Sequence, residues 1–507
     1  MSDTTFFIRA TTAWHAKVMP ILSSRRFFYV VVALLVVQAA WLALSAQYPM
    51  AFDESFHMGI IQVYSNQWLP FLSAQPINAD SFGALARDPS YLYHYLMSFP
   101  YRLIASVIHD WNAQIIMMRL LNVAMFASSL FVFRRVLRLA KASPALTNSI
   151  LLFFVLIPVV PHLAAHINYD NLVVLLVAVS SLLGLQLLNA FKQQHAPLKT
   201  VVALVLICIG ASLVKYAFLP IALAIGMYII VAFLWRSKAQ RRLLYKDVAG
   251  QLRTVSKPLL LAMVAGLIIL SGLFFERYGM NVILYKNPVP DCDQVLSIDH
   301  CLNYGPWARN YKLTQSKTAP VDTNIVSYSG QWMGEMYRKL FFTINGDFRE
   351  KEPLPIPITV AVVVGAAGTI ACVIFGRRLL RTHRSLQMLL AMIVLYTLVL
   401  WWRNYSEFTE IGTAVAINGR YLIPLLPLIL LLVGLGLKSV FNLITGVPLK
   451  SAVMTVALVL FLQGGGIMTY VIRSDPADAN WYWKQATVVT INNSVRSVLH
   501  KVVIGSD

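Results

Sequence analysis

Eleven apolar runs punctuate the chain, at 27–47, 115–133, 145–163, 171–190, 200–214, 217–235, 257–275, 356–375, 386–402, 421–441 and 451–472. A helix needs roughly 17–25 apolar residues to cross about 30 Å of hydrocarbon, so the runs predict transmembrane helices. The run at 200–214 is short and abuts its successor at Lys215. A further apolar segment, 91–108, holds His94, Pro100 and Arg102 and reads as a helix lying on or dipping into the membrane interface. The pattern predicts an all-α polytopic membrane protein of about 11 transmembrane helices, with interfacial helices and a small outer cap.

Composition sharpens this. Of 507 residues, 58% are hydrophobic and 13% charged, with a mean hydropathy of +0.65. Soluble domains run near 25% charged and about 45–50% apolar, which excludes a single water-soluble globule. Disorder is excluded too, and so is a nucleic-acid-binding domain despite a net charge of +20. No solenoid period recurs, and no Walker loop, GxGxxG after a strand, HExxH or CxxC is present.

The charge is distributed by side. The segments sharing a face with the N-terminus hold 23 of the 42 Lys and Arg but only two of the 22 acids. Short basic loops stay in the cytoplasm, so the N-terminus is predicted inside and residues 48–114, 276–355 and 473–507 outside. A span at 91–108 would move Arg134, Arg135, Arg138 and Lys141 outward, against that rule. The basic excess thus reports topology and anionic lipid headgroups. The predicted organisation is a cytoplasmic N-terminus (1–26), a transmembrane core (27–275) with its first outer loop at 48–114, an outer cap (276–355), C-terminal helices (356–472) and an outer tail (473–507). Arg25–Arg26 before a long apolar run reads as a signal anchor. Cys208 and Cys372 fall in apolar runs, whereas Cys292 and Cys301 lie in the cap, where an oxidising compartment allows a disulfide.

Chemistry-bearing residues cluster at the outer ends of the runs. AFDESFHMG places Asp53 and Glu54 just beyond the first run, with His57 following. Such a group is either a solvated loop start with Asp53 capping a helix, or a general base or metal ligand held near the bilayer surface. In HINYDN, Asp170 starts the fourth run with His166 nearby. An acid there suits the helix dipole, yet the short connection also sets it at the depth of Asp53, so both can meet in one cavity. Lys215, Arg403 and Arg420 stand at outer ends. Arg403, beside Trp401 and Trp402, reads as snorkelling to headgroups; Lys215 and Arg420 suit a lipid phosphate.

FDESFHMGIIQVYSNQWLP, RDPSYLYHYL and HINYDN resemble the GT-C superfamily of integral-membrane glycosyltransferases, of bacterial type. GRYLIPLLPL resembles a late motif of predicted bacterial membrane proteins placed near that superfamily. The resemblance covers the first 235 residues as architecture and thins thereafter. It implies an inner-membrane enzyme with a periplasmic active site, a polyprenyl-phosphate-linked sugar donor and a glycan or glycolipid acceptor. By position, Asp53 matches the family's first-loop catalytic acid, Glu54 its partner and Asp170 the second-loop acid. His57, Asp88, His94, His166, Lys215, Arg403 and Arg420 are then substrate-binding candidates. A divalent Mg²⁺ or Mn²⁺ at Asp53 and Asp170 is compatible with these oxygens. DPSYLYHY departs from the proline-proline stretch of the aminoarabinose and mannosyl enzymes, which leaves the acceptor open. Alternative readings are a lipid-linked glycan transporter and an O-antigen polymerase or ligase, the latter because the cap holds His300 and several Arg.

Overall fold

The computed structural model describes residues 16–50, 53–72, 74–316, 324–341, 368–370, 374, 380–381, 383–444 and 483–503. Among the described residues the regular elements are helices and no strand occurs. Seven helices among the described residues are long and apolar enough to cross a membrane: Arg25–Ser45, Trp111–Leu139, Tyr169–Lys192, Tyr216–Leu234, Lys257–Tyr285, Arg384–Ile411 and Gly419–Lys438. Each coincides with a predicted run. Two other runs form shorter apolar helices, Pro144–Leu156 and Leu198–Val214. The expected single helix over 145–163 is broken, because Pro158 lacks an N–H and disfavours helical geometry at Ile157. A separate short helix, Val159–Ala164, follows. The predicted run at 451–472 and most of that at 356–375 lie outside the described residues, as do Cys372, residues 1–15 and the start of the tail.

The centre is the packing of Trp111–Leu139 along Tyr169–Lys192, with Phe126, Leu130, Phe133, Phe154, Val174 and Val177 buried. Residues 92–107 form one amphipathic helix. Tyr93, His94, Met97 and Ser98 face inward, while Leu96, Phe99, Leu103 and Val107 are exposed. This helix lies against Glu54–Ser65, whose last carbonyls it caps. Arg102 donates to the Ser65 oxygen at 2.7 Å, to the Tyr64 oxygen at 2.8 Å and to the Gln67 oxygen, satisfying acceptors that a helix end leaves orphaned.

In the cap, Cys292–Val295, Ile298–Cys301 and Gly305–Gln315 are short helices, and Cys292 is disulfide-bonded to Cys301. The cap reaches two neighbours. His300 Nδ1 lies 2.6 Å from Asp80 in the first loop, and Asn310 Nδ2 donates to Glu407 at 2.6 Å on the end of Arg384–Ile411. From the tail, Ala486–Val503 packs on the first long helix through Trp41 Nε1 donating to Asn492 Oδ1 at 2.9 Å.

Candidate functional site

Three carboxylates and three cations organise the end of the bundle that carries the first loop. Glu54 begins the helix Glu54–Ser65 and is completely buried against Arg119, which is completely buried in the second long helix. Arg119 Nε and Nη2 donate to the two Glu54 oxygens, each at 2.7 Å. The same guanidinium donates to the Ala43 oxygen at 3.2 Å, the Ala46 oxygen at 2.5 Å and the Gln47 oxygen at 3.3 Å. Glu54 in turn accepts from the backbone of Met50 at 2.8 Å and of Ile167 at 3.4 Å. Burial pushes the Glu54 carboxyl up, but the charge and hydrogen bonds of Arg119 outweigh it and hold the group below its ordinary range. This knot ties the end of the first long helix, the first loop, the second long helix and the 165–168 turn together. Arg119 was not singled out in the sequence, although an arginine inside an apolar run is itself a signal that a buried partner exists.

Asp53, one residue earlier, is the reverse case. Its side chain is 57% exposed and accepts from Arg420 Nη2 at 2.7 Å. Asp53 stands at the N-cap position of its helix with φ 66°, and its side chain makes no capping hydrogen bond. Capping therefore does not explain it. Left-handed geometry in a non-glycine residue is uncommon and turns the carboxylate toward Arg420. Arg420 comes from a tight turn at Gly419–Leu425, fixed by Asn418 Oδ1 accepting from the Arg420 backbone at 3.0 Å.

Asp170 lies in the first turn of Tyr169–Lys192, but the cap of that helix is Asn168, whose side chain accepts from the Asp170 backbone at 2.8 Å. The carboxylate is thus released from capping and accepts from Lys215 Nζ at 2.5 Å. Lys215 sits at the predicted helix break after Val214, its ammonium 4.4 Å from the centre of the Tyr169 ring and 5.1 Å from that of Tyr421. Arg420 feels the charge of both Asp53 and Asp170. The two acids predicted to converge accordingly lie in the field of one guanidinium, with Asp53 hydrogen-bonded to it and Asp170 paired with Lys215.

The histidines of the site, His57, His94 and His166, are buried. His57 Nδ1 is 2.9 Å from His94 Nε2, so one ring donates to the other, and His57 packs edge-on against Tyr169 at 4.5 Å. Burial, then the neighbouring His94, Arg420 and Lys215, push His57 well below the usual imidazole range. Burial holds His94 down at about 3 and His166 at about 4. His166 packs on His162 behind Glu54, away from solvent. Asp88 accepts from the Ser90 backbone at 2.9 Å, and burial pushes its carboxyl up. Arg403 is exposed, with its guanidinium 5.0 Å from the centre of the Tyr216 ring. From the cap, Tyr304 packs on Phe56 at 6.0 Å and feels Asp53, Asp88, Tyr216 and Tyr421. Sequence reasoning passed over Tyr304 because nothing local distinguishes it from any loop tyrosine.

Among the described residues, no group of three or more His, Cys, Asp or Glu is placed to hold a metal ion. The carboxylates expected to ligate one, Asp53 and Asp170, are each engaged by a cation. That donor set does not fit a ready-made divalent site, and no step is derived through one. Chemically, the arrangement offers an exposed carboxylate whose cation can be drawn away by an incoming anion. No family model, curated protein or solved structure matches the chain.

Proposed function

We propose that the chain is an inverting GT-C-type glycosyltransferase. It moves a sugar from a polyprenyl-phosphate donor to a hydroxyl of a cell-envelope glycan or glycolipid, with its site facing the periplasm of a bacterial inner membrane. The observation that carries this reading is the exposed Asp53 carboxylate 2.7 Å from Arg420, a cation that also feels Asp170. The donor phosphate pairs with Arg420, whose fixed charge stabilises the departing phosphate, and Asp53 is released. Asp53 then takes the proton of the acceptor hydroxyl as its oxygen attacks the anomeric carbon from the opposite face. The bond from anomeric carbon to phosphate oxygen breaks, polyprenyl phosphate leaves, and the anomeric centre inverts.

The test is transfer of labelled sugar from a panel of polyprenyl-phosphate sugars by purified protein in lipid nanodiscs. Asp53→Asn is expected to lower the rate by about 10²–10⁴-fold, the range of a positioned general base, at unchanged folding. Turnover within about twofold of wild type in that variant would remove Asp53 as the base.

A further inference from the structure

The two exposed-end ion pairs differ in whether they can open. The Asp53 side chain is 57% exposed and that of Arg420 10%, so an anion that reaches the guanidinium displaces a carboxylate that can swing into solvent. Lys215 cannot be taken from Asp170 so simply, since the side chains are 7% and 2% exposed and the ammonium lies against two tyrosine rings. That locks Lys215 as a structural counter-ion.

Asp170 spends only one oxygen on this lock. Oδ1 accepts from Lys215, while Oδ2 is buried with no hydrogen-bond partner among the described residues. A carboxylate has about four lone-pair sites, and buried polar atoms are satisfied as a rule. Oδ2 therefore calls for a donor. The neighbouring charges restrict its kind: an anion is repelled by the carboxylate, and an ammonium by Lys215 and Arg420. A neutral donor such as a hydroxyl, whether of a ligand or of a water, remains. Tyr169 and Tyr421 beside it supply the aromatic faces that suit a sugar ring.

We propose that Asp170 Oδ2 accepts a hydrogen bond from one hydroxyl of the sugar being transferred, making Asp170 a specificity-determining residue and Lys215 the residue that positions it. This rests on the glycosyltransferase reading and assigns the sugar to the Asp170 side of the site and the phosphate to the Arg420 side.

The test measures retention by native mass spectrometry, which needs no turnover. The probes are undecaprenyl phosphate, undecaprenyl-phosphate hexoses, and their single-deoxy analogues. Wild type is expected to hold one hexose donor about tenfold or more tightly than one of its deoxy analogues. Asp170→Asn leaves Lys215 unpaired, so the double variant Asp170→Asn/Lys215→Met is the decisive one, with its unfolding temperature as the folding control. That variant is expected to bind parent and deoxy donors within about threefold of each other, with undecaprenyl phosphate retained as in wild type. Undiminished discrimination in the double variant overturns the proposal. So does a wild type indifferent to every missing hydroxyl, a loss of bare undecaprenyl phosphate, or donor discrimination abolished by a chelator, which would put a metal on Oδ2. Discrimination without any sugar transfer would instead sink the enzyme reading and leave the subsite standing.

Discussion

Asp53 and Glu54 are neighbours in the chain and opposites in environment. Glu54 is sealed with Arg119 among backbone carbonyls, and every oxygen it has is used. Asp53 has one exposed contact to Arg420 across a sequence separation of 367 residues. The family resemblance makes them a catalytic acid and its partner, but their surroundings differ: Glu54 ties the loop to Arg119, and Asp53 keeps an exposed carboxylate. On the proposed glycosyltransferase reading, Glu54 positions the loop and Asp53 takes the proton. An ion pair with no exposure is committed to structure, because breaking it strands a charge.

The first way to break this comparison is Arg119→Met, which leaves Glu54 buried without its cation. It should lower stability by about 3–5 kcal/mol, read as thermal unfolding in detergent, and Glu54→Gln/Arg119→Met should recover part of that loss. Asp53→Asn should cost less than Arg119→Met, because the Asp53 side chain is 57% exposed, although that of Arg420 is only 10% exposed. Equal losses at the two positions would erase the distinction.

Acid provides the next. His94 and His166 titrate lower folded, at about 3 and about 4, than the ordinary 6.5. The unfolded chain therefore binds protons first, and stability falls as pH drops below about 6.5. The slope is about 1 kcal/mol per pH unit for each histidine. Glu54 acts lower: its lowered carboxyl stabilises above its unfolded value near 4.5 and loses that contribution only as pH falls through its folded value. A pH titration of unfolding should show the histidine phase between about pH 6.5 and 5, reduced but not abolished by His94→Gln/His166→Gln, because buried His57 is held low as well. The smallest effect belongs to the half-exposed His300–Asp80 pair, whose loss in Asp80→Asn should change global stability by under about 1 kcal/mol. Hydrogen exchange confined to the cap would register it.

The helices were legible because a long apolar stretch has few ways to satisfy its backbone in a membrane. Seven runs became long helices, and Pro158 accounts for the one that split. At the site, Asp53, Asp170, Lys215 and Arg420 were legible as charged groups at helix ends, where they are costly unless used. Their pairing was not, since Asp53 meets Arg420 and Asp170 meets Lys215 only once the bundle closes. Arg403, read as snorkelling to headgroups, stands exposed over Tyr216. Arg119 and Tyr304 escaped for opposite reasons. One was hidden inside an apolar run, and the other arrives from a cap whose placement depends on Asp80, Glu407 and the disulfide.

The most direct test of the account is whether Arg420 grips a lipid phosphate. Native mass spectrometry of the protein in nanodiscs doped with undecaprenyl phosphate should show one bound lipid on wild type. Arg420→Gln should weaken retention at least tenfold, whereas Asp53→Asn, which removes the competing carboxylate, should strengthen it. Equal retention by all three proteins would contradict the claim that this guanidinium exchanges a carboxylate for a phosphate.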